Sequence, residues 1–185
     1  MVSQRKVLGK APIIFVTVGT TQFSCVRFFR LIDETLHLYK GDVKLIVQQG
    51  STEYMWQYPN RETYTTISPK QMATYIKEAD KIITHAGFGT LYTIFQNHGV
   101  NPFIISRQKK YQEHVNDHQK YFLTFLKQKM TEPSTHWIFS DPTVSDLLSY
   151  ISEQNRLTAD GFDKIFSRTE PTTMIKGLTN YILNK

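Results

Sequence analysis

The chain has 185 residues, enough for one α/β domain with a good core and too few for two Rossmann-like halves. Its 22 Lys and Arg against 16 Asp and Glu give a formal charge of +6, but apart from Arg107-Gln108-Lys109-Lys110 the basic residues are scattered. With no basic motif interleaved with aromatics, the composition argues against a nucleic-acid surface. No run approaches the ~20 apolar residues of a membrane helix, and the basic opening MVSQRKVLGK is not followed by the apolar core of a signal peptide. A single cysteine, Cys25, set in an apolar helical pattern, excludes an internal disulfide and reads as a buried reduced thiol.

Residues 13–18 (IIFVTV) form a continuous apolar, β-branched run, as expected of a strand buried on both faces. Gly19-Thr20-Thr21 ends it before a helical spacing of Phe23, Val26, Phe29, Leu31 and Ile32. Such a loop either donates N–H and O–H bonds to phosphate or ribose or simply caps the helix. Residues 43–47 (VKLIV) read as a second strand ending in Gln48, Gln49 and Gly50, residues 64–67 as a third, and Pro69–Glu78 as a helix.

Lys81–His85 (KIITH) is the next strand and closes on a histidine. Ala86-Gly87-Phe88-Gly89-Thr90 then turns into the apolar-spaced Leu91, Ile94 and Phe95. In a parallel sheet, strand ends and helix starts share one edge, where ligands bind and helix N–H groups hold anions. The glycines permit close approach of a diphosphate, or no more than a tight turn. His98, before Gly99, reads as a cap or surface residue.

Residues 100–106 (VNPFIIS) read as a further strand. After it come Arg107, Gln108, Lys109, Lys110, Glu113, His114, Asn116, Asp117, His118 and Gln119, ahead of a helix marked by Phe122, Phe125 and Leu126. This density of donors and acceptors suits a hydroxyl-rich ligand, or is a solvated loop with Asn116 or Asp117 as helix cap. His114 and His118 stand four apart, but the first lacks the following Glu of a metalloprotease motif, so no metal site is expected. Residues 137–139 complete the strands, and 143–151 form a helix with Val144, Leu147, Leu148 and Ile151 on one face. Residues 152–171 are polar and turn-rich, and 172–183 have the pattern of a terminal helix that packs back or docks on a partner.

THAGFGT at 84–90, SRQKKYQEHVNDHQ at 106–119 and IIFVTVGTTQF at 13–23 together resemble the donor-binding half of the glycosyltransferase family 28 proteins. The likeness runs from about residue 13 to 126, with the three motifs in the family's order and spacing. It is strongest to the small subunits of two-component bacterial exopolysaccharide and capsule glycosyltransferases, and extends to the catalytic subunit of the split eukaryotic N-acetylglucosaminyltransferase that acts on dolichol-linked sugar.

The resemblance implies a Rossmann-like parallel sheet with flanking helices, the donor-binding half of a GT-B fold, over residues 1–185, with 152–185 as a less regular C-terminal extension. It implies transfer of a hexose from a UDP-sugar to a lipid-diphosphate-linked saccharide, with inversion and without a metal; no Asp-x-Asp pair is present. It also implies no cofactor, a membrane-anchored partner subunit that binds the acceptor, and a cytoplasmic place at the inner membrane face. Gly87, Gly89 and Thr90, with His85, correspond to the phosphate-facing turn, and Gly19, Thr20 and Thr21 to the loop facing donor and partner. Asp117, His118 and Gln119 correspond to the sugar-facing loop, Arg107 to a residue that orients it or meets phosphate, and Glu113 and His114 are the acid–base candidates if the base is not on the partner. The chain departs from the family at Thr93, where many members carry a ribose-binding Glu. A noncatalytic assembly subunit is the alternative that this departure allows. A dinucleotide oxidoreductase is a further class, but Gly19-Thr20-Thr21-Gln22 does not fit its G-x-G-x-x-G.

Overall fold

A computed structural model describes residues 11–97, 101–129 and 135–153. Its elements run β1 (Ile13–Thr17), α1 (Val26–Leu38), β2 (Lys44–Gln48), β3 (Arg61–Tyr64), α2 (Pro69–Glu78), β4 (Lys81–His85), α3 (Phe88–Asn97), β5 (Phe103–Ile105), a 3-10 turn (Lys109–Tyr111), α4 (His118–Lys129), β6 (Ile138–Phe139) and α5 (Val144–Ser152). The six strands lie in the order β3-β2-β1-β4-β5-β6, and every neighbouring pair is parallel. This is the strand order of a Rossmann sheet, with its switch in the sense of strand order between β1 and β4.

The alternation along each strand explains why the sheet is buried on both sides. Phe15, Ile46, Ile82 and Ile104 face a core completed by Ile76 of α2, Leu91 and Ile94 of α3 and Phe122 and Leu126 of α4. Val16, Val47, Ile83 and Ile105 face the opposite core, completed by Phe28, Phe29 and Ile32 of α1 and Leu147 and Ile151 of α5. Cys25 is fully buried at the start of α1, and burial pushes its thiol up to about 12, so it is an inert apolar group as its pattern suggested. The Tyr150 hydroxyl accepts from the Ile82 N–H at 3.1 Å and lies 3.0 Å from the carbonyls of Ile82 and Asn101, tying α5 to the centre of the sheet.

Helix boundaries follow local chemistry. α2 and α5 each start with a capping box, Ser68 with Gln71 and Thr143 with Asp146, each cap worth about 1 kcal/mol. α1 begins at Val26 instead of at Phe23, because Thr21 accepts the Phe23 N–H and holds the preceding residues in a turn. The third strand is Arg61–Tyr64, not 64–67: it is an edge strand of sequence RETY with alternating exposure, and the apolar signal at Ile67 instead packs under α2. The strand expected over 100–106 narrows to Phe103–Ile105. His98, the expected helix at 172–183 and nearly all of the extension at 152–185 lie outside the described residues.

Candidate functional site

The β1, β4 and β5 ends bring three loops together beside the point where strand order reverses, the edge at which open α/β sheets bind ligands. His85 closes β4 and is only 4% exposed. Its ring fills the space between two glycines on different loops. A Cβ at Gly87 would stand 2.2 Å from His85 Nε2, and one at Gly19 2.9 Å from Cε1. Gly50, after β2, has φ +59°, and its missing Cβ would meet the Gly19 carbonyl oxygen at 2.5 Å. Gly19 itself has φ +74°, a left-handed conformation that glycine adopts without steric cost. Gly19 and Gly87 thus close the loops after β1 and β4 on the imidazole, and Gly50 packs the loop after β2 against Gly19. Burial, reinforced by the Arg107 charge, pushes His85 down to about 3, so the ring is neutral at physiological pH.

Arg107, just past β5, is 1% exposed. Its guanidinium donates to the carbonyls of Val18, Phe23 (2.8 Å) and Glu113 (3.2 Å), and approaches Thr21 Oγ1 at 3.4 Å. Its own N–H donates to Gln119 Oε1 at 3.0 Å. These bonds draw the β1–α1 and β5–α4 loops together, the work of a loop-orienting residue. They also leave a buried cation near the strand ends that depresses the basicity of both His85 and His114.

Glu113 is likewise buried, and both of its oxygens are taken. Arg27 of α1 donates through Nε to Oε1 at 3.0 Å and through a terminal nitrogen to Oε2 at 2.8 Å, and the Gln108 N–H reaches Oε2 at 3.1 Å. Charge-assisted bidentate pairs of this geometry are the strongest hydrogen bonds a side chain makes. Glu113 therefore braces α1 against the β5–α4 loop, where the sequence suggested an acid–base group. Arg27 also donates to the carbonyls of Ser106 and Ser140 and lies 4.4 Å over the Tyr111 ring. Nothing in the sequence marked Arg27, whose partner stands 86 positions away.

The remaining expected residues separate into bracing and open ones. Asp117 Oδ1 accepts the Lys109 N–H at 2.8 Å, and Gln119 is 2% exposed with its carbonyl oxygen on Arg107. Thr21 accepts the Phe23 N–H at 3.1 Å, while Thr20 is exposed. Gly89 is exposed in the first turn of α3, with no atom within 4 Å of where its Cβ would be, and Thr90 follows it half-buried. The first N–H groups of a helix have no intrahelical partner, so this turn can receive an anion. Thr93 Oγ1 donates back to the Gly89 carbonyl at 2.9 Å. His114 and His118 are half-buried with ring centroids 4.3 Å apart, and burial holds both below the usual imidazole range.

A cavity of about 470 Å³ adjoins these loops, lined by Ser24, Arg27, Arg30, Tyr111, Gln112 and Glu113. A larger one, about 580 Å³, lies away from the strand ends between α1, α5 and the segment after β2, with Arg30, Asp33, His37, Tyr54 and Val144 on its walls. Among the described residues no three His, Cys, Asp or Glu side chains converge as metal ligands, and no helix is long and apolar enough to cross a membrane.

Comparison with known proteins bears on the family and the fold. Residues 13–136 match the model of the glycosyltransferase family 28 C-terminal domain. The fold is similar to that of CalG4, the calicheamicin glycosyltransferase, at 14% identity and a TM-score of 0.51 over 96% of this chain and 40% of that one. The glycosyltransferase of kitacinnamycin (14% identity, TM-score 0.48, 97% and 42% covered) and SnogD from Streptomyces nogalater (16%, 0.42, 97% and 42%) are also similar. The chain thus spans about two fifths of these solved structures. No curated protein matches it.

Proposed function

The chain belongs to the glycosyltransferase family 28 C-terminal domain family, and on that premise we propose that it binds the UDP-sugar donor of a hexosyltransferase. The observation that carries the reading is the exposed first turn of α3 at Gly89 and Thr90, beside loops locked by His85 and Arg107. The diphosphate lies on that turn. As the sugar leaves, negative charge grows on the diphosphate, and preorganised N–H groups stabilise it, each dipole interaction contributing about 0.3–1 kcal/mol in exposed settings and more where water is excluded. The buried Arg107 cation adds a fixed positive potential without needing to touch phosphate. This arrangement supplies leaving-group stabilisation from the protein's own groups.

The acceptor-binding half lies beyond these residues, and we read it as a membrane-anchored partner subunit. It presents a lipid-diphosphate-linked saccharide of exopolysaccharide or capsule synthesis, and holds this chain at the cytoplasmic face of the membrane. The base that activates the acceptor belongs to that half. Of the two acid–base candidates here, Glu113 is sealed in its ion pair, whereas the half-buried His114 ring rests against Phe23 and His118 and is the one able to assist. One observation favours a noncatalytic assembly role instead: Thr93, whose hydroxyl is turned onto its own helix, offers no carboxylate to a ribose.

The test is a thermal-shift series with UDP, GDP, ADP, dTDP and NAD on the chain alone and on the complex with its partner. A ligand that binds the native state raises the melting temperature by mass action. Selective stabilisation by UDP is expected; a response to NAD, or to no nucleotide in either sample, overturns the donor reading.

A further inference from the structure

The cavity of about 470 Å³ between α1 and the β5–α4 loop is of the size that small ligands occupy, and the turn at Gly89 and Thr90 does not use it. Ser24, Val26, Arg27 and Arg30 form one wall, and Tyr111, Gln112 and Glu113 the other. The second wall is fixed in place. Arg27 and Lys110 stand over the Tyr111 ring at 4.4 and 4.6 Å, and its hydroxyl donates to Asp141 Oδ1 at 3.0 Å. Gln112 has φ +57° and is the one residue other than glycine in the left-handed region among the described residues. Its N–H donates to the Lys109 carbonyl at 2.8 Å, and the next N–H, of Glu113, to the Gln108 carbonyl at 3.2 Å. A backbone conformation of this kind persists where the surroundings over-determine it, and such positions cluster at ligand sites.

The polar groups left over on these walls include a cation and two neutral side chains able to donate. Arg27 and Glu113 neutralise each other, and Asp141 is taken up by Lys110, Tyr111 and Gln108. Arg30 is exposed and makes no hydrogen bond or ion pair with a described residue. Asp33, three residues on, accepts the Gln57 and Tyr58 N–H groups at 2.9 Å each, and Glu34 forms no ion pair with Arg30. The Ser24 hydroxyl and the Gln112 amide have no described partner either. A planar guanidinium beside an amide and a hydroxyl suits a phosphate group, which accepts several donors at once.

We propose that this cavity binds a phosphate group distinct from the donor diphosphate on α3, with Arg30 as its charged contact and Gln112 and Ser24 as neutral donors. Resting on the donor-binding reading above, that phosphate belongs to the lipid-linked acceptor; a soluble phosphate ester is the other source of the same chemistry. This chain then holds part of the acceptor as well as the donor.

The test is calorimetric titration of inorganic pyrophosphate into the full chain carrying Gly89→Asp, which removes the turn of α3 as a competing anion site. Pyrophosphate still binds there. Adding Arg30→Ala weakens it by about tenfold or more and adding Gln112→Gly by about threefold or more, the range of hydrogen bonds to a charged group. Glycine keeps the backbone conformation of Gln112 and removes only its amide. Unchanged melting temperatures show that both variants stay folded, and neither change made alone in the wild type alters UDP affinity. Farnesyl diphosphate in the same series separates the sources: affinity tenfold or more above that of pyrophosphate marks a lipid-borne phosphate, and equal affinity a soluble one. No pyrophosphate binding in the Gly89→Asp chain, or binding that both added variants leave unchanged, overturns the proposal. If UDP fails to bind the wild type while pyrophosphate binds in an Arg30-dependent way, the donor reading fails and the phosphate site stands.

Discussion

Replacing Gly87 and Gly89 separately by alanine measures how tightly the loops are built around His85. The two glycines stand two residues apart at the start of α3, yet their surroundings are opposite. A methyl at Gly87 falls 2.2 Å from His85 Nε2 and 2.9 Å from Cδ2, well inside van der Waals contact. The ring has nowhere to retreat, because the empty Cβ position of Gly19 lies 2.9 Å from its Cε1 and the residue is 4% exposed. Overpacking of this kind costs about 1–3 kcal/mol. A methyl at Gly89 meets nothing within 4 Å, and the reduced freedom of the unfolded chain makes that change neutral or stabilising by up to about 1 kcal/mol. Urea unfolding should place the two variants about 1–4 kcal/mol apart, and a melting difference of about 2–16 °C corresponds for a chain of this size. In a His85→Ala background the Gly87→Ala penalty should largely vanish, since the clash is with that ring. Equal stabilities of Gly87→Ala and Gly89→Ala, or an undiminished penalty in the double variant, would refute the packing argument.

Glu113→Gln leaves the half-buried Arg27 with only Asp141, 3.6 Å away, as counter-charge, and urea unfolding should show a loss of about 1.5–3 kcal/mol, the range of hydrogen bonds to charged groups; a loss under about 0.5 kcal/mol would mean the pair braces nothing. His85 is held down to about 3 by burial, against a usual 6.5, so the unfolded chain binds a proton that the folded chain refuses. Stability from this group is therefore fully present above pH 6.5 and falls as the pH drops through the window from 6.5 toward 3. The loss is about 2 kcal/mol by pH 5, and His85→Asn should flatten the stability–pH curve over that interval. Thr93→Glu restores the carboxylate common in the family at a half-exposed site whose hydroxyl bonds only its own helix. Titration calorimetry should show UDP affinity rising about tenfold or more, as for a charge-assisted ribose contact, and no gain would separate this chain's ribose contact from the family's.

The central strands were legible because each is an apolar run long enough to be buried on both faces, as in IIFVT, KLIVQ and KIITH. The edge was not: RETY alternates between exposed and half-buried positions, carries two charges, and gives no apolar signal. The site was legible as residue types and only partly as roles. Gly19 and Gly87 suggested room for phosphate, and the structure shows the nearer reason, the imidazole packed between them. Glu113 was visible as a polar residue of its loop, whereas its ion-pair partner, Arg27, lies on a helix far away in sequence. Long-range pairs such as these have no local periodicity, so a chain read by spacing cannot reveal them. Asn116 was visible as a helix cap, whereas its second bond, to the His118 ring, depends on a side-chain direction that appears only in three dimensions.

The most direct test of the donor site is calorimetric titration of UDP into the wild-type chain and into Gly89→Asp. The substitution places a carboxylate in open space at the first turn of α3, where it displaces a diphosphate without disturbing the packed loops. We expect the wild type to bind UDP and the variant to lose that binding by tenfold or more, roughly the effect of one opposing charge, with an unchanged melting temperature. A variant that binds UDP as the wild type does would contradict the assignment of the diphosphate to this turn.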